Sequence, residues 1–399
     1  MDMDVLERTV DVDSHEMVPS HFWEEIFGPA GGELATLAEP LLRKLGGNDF
    51  YNPSVTGDIE AITDHNVWTI RGTRAPSAFD FSRRLPVMDA MGIEKQLVFP
   101  SFALTASHFL VANETTLRQA YKLEMPEPQI RALARAALDE YNEWAVRLAR
   151  SGGGRMRPVA YVVDDGSVES LLQMTTDLIN RGIRAINLPS GTPPGGVSPA
   201  SPLLHPFWEL LERNDITFVL HIGNETGFLA SSAWGAAPAF APGKVESHEL
   251  GLEPYSMATL HFAGCNYLTT MTLGGVFELF PRLRFGVIES GCIWLGPLAD
   301  NLDMWARDVH AARLSGFISM LPSEYLARNV RVTPFNNVER IEEEFLRYPH
   351  LQDCYCYSTD YPHIEGGIDI KRVFAERLAP LGDSVLQKFF RTNGELLCP

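Results

Sequence analysis

Eight short apolar runs, each closing in polar residues, constrain this chain more than any other feature of its sequence. They lie at 9–13 (TVDVD), 96–100 (QLVFP), 158–163 (PVAYVV), 183–188 (IRAINL), 216–220 (ITFVL), 284–288 (RFGVI), 330–333 (VRVT) and 354–358 (CYCYS). Between most of them lie helical patterns, at 133–150, 168–180, 206–213, 295–307 and 341–347. The first carries Tyr141, Trp144 and Leu148 on one face, and the second is followed by a Gly182 stop. Strands alternating with amphipathic helices predict a parallel sheet. Eight of them predict a closed (β/α)8 TIM barrel, because no GxGxxG turn marks a doubly wound alternative.

A length of 399 residues suits one such barrel domain spanning 1–399 with insertions. Three stretches interrupt the repeat, at about 27–90, 103–129 and 225–260. Loops after barrel strands lie on the catalytic face, so the second and third are expected to wall or cover a substrate pocket. A dimer contact is the alternative for each.

The formal net charge of −18 argues against nucleic acid, whose phosphates need basic partners, and against anionic membrane surfaces. The first thirteen residues lack the basic-then-apolar pattern of a secretory signal, and no apolar run approaches the ~20 residues of a membrane span. Cys265, Cys292, Cys354, Cys356 and Cys398 form an odd set without framework spacing, so reduced thiols and a cytoplasmic location are expected. Cys354 and Cys356 are read as structural.

Polar residues at the C-terminal ends of barrel strands are where chemistry belongs. The first strand ends in Asp13-Ser14-His15-Glu16, the fifth in His221, the sixth in Glu289-Ser290-Gly291, and the eighth in Ser358-Thr359-Asp360 followed by Tyr361-Pro362-His363. Such groups are costly in an apolar barrel unless paired or metal-bound. Imidazole and carboxylate suit a divalent ion. Asp13 and His15 are two apart, so a regular strand points both to one side. Taken singly, each has a plainer explanation: a satisfied core histidine, a chance DxH, an aspartate forming a turn. Their consistent places in one periodic pattern favour the metal site.

These residues resemble the decarboxylase-like "amidohydrolase 2" branch of the amidohydrolase superfamily, which includes aminocarboxymuconate-semialdehyde decarboxylase, γ-resorcylate decarboxylase and 5-carboxyvanillate decarboxylase. The segments that carry the likeness are 157–162 (RPVAYV), 203–224 (LLHPFWELLERNDITFVLHIGN), 273–285 (LGGVFELFPRLRF), 358–366 (STDYPHIEG) and 393–397 (NGELL). The resemblance implies one divalent metal ion, Zn or Mn, held by Asp13, His15, His221 and Asp360, in a homodimer acting on a small molecule. The chain departs from the family pattern twice. Asp13 stands at the first position of the common HxH motif, and Glu289 stands where an HxGG motif usually places a proton-handling His.

Asp360, Glu289 and His221 are the expected catalytic residues: Asp360 to orient or deprotonate water, and Glu289 to shuttle a proton or add a ligand. Arg71, Arg74 and His363 are the candidates for substrate contact. Three functions compete: non-oxidative decarboxylation of an aromatic or unsaturated carboxylic acid, metal-hydroxide hydrolysis of an amide, ester, lactone or C–C bond, and a non-catalytic binding barrel.

Overall fold

A computed structural model of the chain describes residues 6–46, 50–112, 117–118, 123–223, 225, 228, 232–240, 254–336 and 338–399. Seven parallel strands follow one another around the sheet: β1 (Thr9–Asp11), β2 (Ile93–Val98), β3 (Met156–Tyr161), β4 (Ala185–Asn187), β5 (Thr217–His221), β6 (Arg284–Ile288) and β7 (Val330–Val332). The helices that matter for the site and its surroundings are α1 (Pro29–Gly46), α2 (Arg84–Met91), α3 (Phe102–Val111), α4 (Glu127–Ser151), α5 (Val168–Asn180), α6 (His205–Arg213), α7 (His261–Leu273), α8 (Leu295–Met304), α9 (Pro322–Asn329) and α10 (Ile341–Arg347).

The fold is the α/β (β/α)8 barrel, but its eighth strand is irregular. The run 354–358 does not form a ladder strand, because residues Pro349–Cys354 turn in a 3₁₀ helix. Tyr357 also gives its amide to Phe389 O (2.9 Å), outside the sheet. The segment still closes the barrel through single bonds: Cys356 N donates to Val332 O (3.0 Å), Val12 N to Tyr357 O (3.2 Å), and His15 N to Tyr361 O (2.7 Å). β1 is shorter than the 9–13 run, with an irregularity between Thr9 and Val10. Past it the chain stays in the barrel wall through a bridge from His15 to Phe99. β2 starts earlier than expected, at Ile93, directly after Gly92 closes α2 in a left-handed conformation (φ 63°).

Two apolar layers result. Val10, Val12, Leu97, Phe99, Val159, Ala185, Val219, Ile288, Cys356, Leu397 and Cys398 fill the barrel interior. A larger layer, which includes Trp208, Phe218, Phe285 and Tyr325, lies between strands and helices. The cysteines are all free thiols, four of them buried. α5 illustrates local logic meeting packing. Ser167 Oγ caps it by accepting from Ser170 N (3.2 Å), and Leu171, Leu178 and Ile179 bury its inner face.

Of the three insertions, 27–90 is organised around α1 and a turn region in which Asp58 accepts from the amides of Ser77, Phe79 and Asp80. Half of 225–260 and part of 103–129 lie outside the described residues. Arg84 joins the first insertion to the barrel. It is fully buried and donates to Ser77 O (2.7 Å), to His15 O (2.9 Å) and to Gln96 Oε1 (3.3 Å). Arg84→Ala leaves two buried carbonyls without that donor and opens a cavity. It is expected to cost roughly 2–5 kcal/mol, read as a lower urea midpoint. An unchanged midpoint would remove Arg84 from this structural role.

Candidate metal centre

The ends of β1, β5, β6 and the closing segment deliver five groups to one mouth. His15 Nε2 lies 3.3 Å from Asp13 Oδ1 and 3.5 Å from Asp360 Oδ1. His221 Nε2 lies 3.5 Å from Asp13 Oδ1 and 3.2 Å from Glu289 Oε2. One ligand atom from each of Asp13, His15, His221 and Glu289 falls within 4.8 Å of the other three, and His15, Asp360 and His363 form an overlapping set. All these side chains are buried. Beside them a cavity of about 10 Å³, bordered by Asp13, Glu289, Asp360 and Asn336, has room for one water or ion.

Backbone conformation aims the two carboxylates. Glu289 and Asp360 adopt left-handed φ values of 50° and 51°, which side-chain-bearing residues visit rarely and at a cost of order 1–3 kcal/mol. Bonds on either side hold them there. Glu289 N donates to Thr333 Oγ1 (2.9 Å), and Asp360 N donates to Asp13 O (2.9 Å). Two residues past Glu289, Gly291 has φ 70°, and a Cβ there would stand 2.6 Å from Glu339 Oε1. That glutamate accepts from Cys292 N and Phe335 N (2.9 and 3.0 Å), clamping the loop.

The imidazoles are oriented by what their other nitrogens touch. His221 Nδ1 lies 3.1 Å from Ile222 O. A carbonyl only accepts, so Nδ1 carries the proton and Nε2 presents its lone pair. His15 stacks on His363 with ring centroids 4.0 Å apart. Burial, with help from His363, His221 and Arg84, holds the pKa of His15 well below the ordinary histidine value, so the ring is neutral. Burial pushes the Asp360 carboxyl up, and His363, with Nδ1 2.9 Å away, pulls it back.

The donor set fits a divalent cation. Both oxygens of Asp13, Oδ2 of Asp360 and Nε2 of His15 are buried with no hydrogen-bond partner, and Asp360 Oδ1 meets His363 Nδ1, 2.9 Å away. Carboxylates and a lone pair so placed are expensive to desolvate. A divalent cation held by these N and O donors would resolve that cost.

The substrate candidates separate. His363 is buried between Asp360 and Ser101, whose Oγ lies 3.1 Å from its Nε2. Arg71 packs over the Tyr361 ring at 5.4 Å and gives Nη2 to Gly367 O, while Nε and Nη1 are buried without hydrogen-bond partners. Burial lowers its pKa, and Tyr361 and Asp360 oppose that shift electrostatically. Arg74 is exposed and donates to Ser54 Oγ (2.6 Å), with no contact to the cluster among the described residues.

Three residues to which the sequence analysis gave no role complete the surroundings. Asp11 accepts from Gln96 Nε2 (2.7 Å), Thr359 Oγ1 (2.6 Å) and Thr359 N (2.9 Å), and burial pushes its carboxyl up to about 7. Glu16 accepts from Ser101 N (2.7 Å) and Phe102 N (2.6 Å) at the start of α3. Ser101 stands one residue past the 96–100 run, and the strand-end rule applied there would have found it.

Protein purified without chelator is expected to carry close to one divalent ion per chain by elemental analysis. Asp13→Ala or His221→Ala should fall below about 0.2, because each removes a ligand. Stripping the ion should lower the melting temperature by roughly a few degrees. Full metal content in both variants would contradict the ligand assignment.

A family model described as amidohydrolase matches residues 21–395. The fold is similar to that of an amidohydrolase from Mycobacterium avium subsp. paratuberculosis, with TM-score 0.64, 18% identity and coverage of 98% of this chain and 99% of that one. It is also similar to 5-carboxyvanillate decarboxylase from Sphingomonas paucimobilis, with TM-score 0.51, 15% identity and coverage of 98% and 99%. A third similar structure is the Novosphingobium aromaticivorans 5-carboxyvanillate decarboxylase complexed with manganese and 4-hydroxy-3-methoxy-5-nitrobenzoic acid, with TM-score 0.54, 15% identity and coverage of 98% and 96%. None of the curated proteins compared with the chain matches it. No helix among the described residues is long and apolar enough to cross a membrane. With its family match running nearly end to end over a barrel whose mouth gathers imidazoles and carboxylates, the chain belongs to the amidohydrolase family.

Proposed function

We propose that this amidohydrolase is a metal-dependent, non-oxidative decarboxylase of an aromatic or unsaturated carboxylic acid. The observation that carries the proposal is Arg71: a buried guanidinium with Nε and Nη1 unbonded, close enough to Asp360 of the cluster for their charges to interact. An anion recognised there would bring its carboxylate to the mouth. The likeness to a manganese-bound decarboxylase supports the same class.

Asp13, His15, His221 and Asp360 hold the ion, and a set rich in carboxylate favours Mn over Zn. When bound, the ion supplies Lewis acidity, polarising a substrate oxygen or acidifying a water. The chain's own groups do the rest. Arg71 binds the substrate carboxylate. Glu289, 3.2 Å from His221, gives its proton to the carbon that bears the carboxylate. The bond from that carbon to the carboxylate then breaks, its electron pair returns to the unsaturated system, CO2 departs, and a proton taken up from solvent, as hydronium or buffer acid, restores Glu289.

A second reading rests on Glu289 itself. A carboxylate replaces the imidazole that the resemblance leads one to expect, and carboxylates suit the deprotonation of water. Hydrolysis of an amide, ester, lactone or C–C bond then follows, with Asp360 orienting the water.

The two are separated by assaying CO2 release from a panel of hydroxybenzoates, and acid release from a panel of lactones and amides. CO2 without hydrolysis is expected. Hydrolysis alone would replace the first reading with the second, and inactivity with metal below about 0.2 per chain would favour a binding barrel. Glu289→Gln is expected to lower kcat by roughly 10²–10⁴, and Arg71→Met to raise KM by about tenfold or more. An Arg71→Met enzyme with unchanged KM would take Arg71 out of the site.

A further inference from the structure

We infer that Ser101 is a positioning residue for the metal centre. Its hydroxyl sets which nitrogen of His15 faces the ion and ties that choice to Asp360 through His363. The inference rests on the metal reading above and deepens it.

Serine is a preferred helix N-cap because its hydroxyl accepts from an amide in the first turn. Ser101 occupies the N-cap position of α3, yet its side chain makes no capping bond. Glu16 does that work instead, with Oε1 accepting from both Ser101 N and Phe102 N. The hydroxyl is thereby released, and it points the other way, 3.3 Å from His15 Nδ1 and 3.1 Å from His363 Nε2. Ser101 is 2% exposed and both rings are at most 1% exposed, so bulk water does not compete for these bonds.

A hydroxyl has one hydrogen to give, and this makes the chain of bonds directional. His15 offers Nε2 to the cluster only when Nδ1 carries its proton. That N–H donates to Ser101 Oγ and the Ser101 hydroxyl donates to His363 Nε2, which leaves the His363 hydrogen on Nδ1, 2.9 Å from Asp360 Oδ1. Each step follows from the one before. The His15 lone pair and the His363 N–H that faces Asp360 are thus selected together, beside the atoms that would hold a cation. The 4.0 Å stack of His15 on His363 fixes the ring planes in which this works. Groups behind metal-bound histidines act in this manner in general, and their loss costs about 10–100-fold in affinity.

Two measurements on the full-length protein test the inference. Mn and Zn affinities are read by competition with a chromophoric chelator. Ser101→Ala is expected to bind about 10–100-fold more weakly, and Ser101→Thr to stay within about threefold of the parent. Because Glu16 holds the α3 amides, the melting temperature of metal-free Ser101→Ala should match that of the metal-free parent. If Ser101→Ala does not fold, Ser101→Cys serves instead, keeping the volume and weakening the bonds. The second measurement is the histidine ¹⁵N spectrum of metal-free protein. The parent should show His15 protonated at Nδ1 only, and the alanine variant a mixture of tautomers. Equal affinities, or a His15 tautomer indifferent to residue 101, overturn the inference. A parent that binds neither metal yet shows a serine-dependent tautomer would refute the metal reading while leaving the positioning role standing.

Discussion

Desolvated charge at the barrel mouth is the condition to which the surrounding structure answers. Asp13, Asp360 and Glu289 are brought out of water beside two imidazoles, and among the described residues no lysine or arginine is bonded to either aspartate. The protein tolerates this because neighbouring groups hold every backbone segment that carries them. Asp11 joins β1, β2 and the closing segment through Gln96 and Thr359. Arg84 anchors the carbonyl of His15. Rigidity of this kind would be wasted on a site that merely packed. It suits one in which ligand atoms must stay within tenths of an ångström of a fixed geometry.

Much of this was legible in the sequence, for a physical reason. Strand ends in a barrel recur at regular intervals, so a polar residue closing an apolar run reveals its place. α5 and β6 fall at their expected bounds, and Asp13, His15, His221, Glu289 and Asp360 all lie at the mouth. What stayed hidden depends on bonds that leave no periodic trace. The 354–358 run has the composition of a strand, but Tyr357 spends its amide on Phe389, a residue far along the chain. Arg71 and Arg74 look alike in sequence. Only the packing of Tyr361 and Gly367 separates the buried one from the exposed one. Ser101 sits at a strand end, but that its hydroxyl is released for His15 shows only when Glu16 is seen to hold the α3 amides.

Membership of a superfamily narrows the chemistry without fixing it, because one barrel supports many reactions through changes at its mouth. Here the change with most leverage is a carboxylate at position 289. It sets a third carboxyl group beside two aspartates, which when ionised would strengthen the hold on a hard cation. It also alters the proton inventory beside the substrate.

The left-handed backbone at Glu289 acts as a filter on what evolution can install there. Branched side chains such as valine or isoleucine are nearly barred from that conformation, whereas histidine, asparagine and aspartate enter it more readily than most. Histidine could therefore stand at this corner with no more backbone strain than the glutamate now there. The same strained turn that aims the side chain keeps open a short mutational route between two kinds of acid–base chemistry.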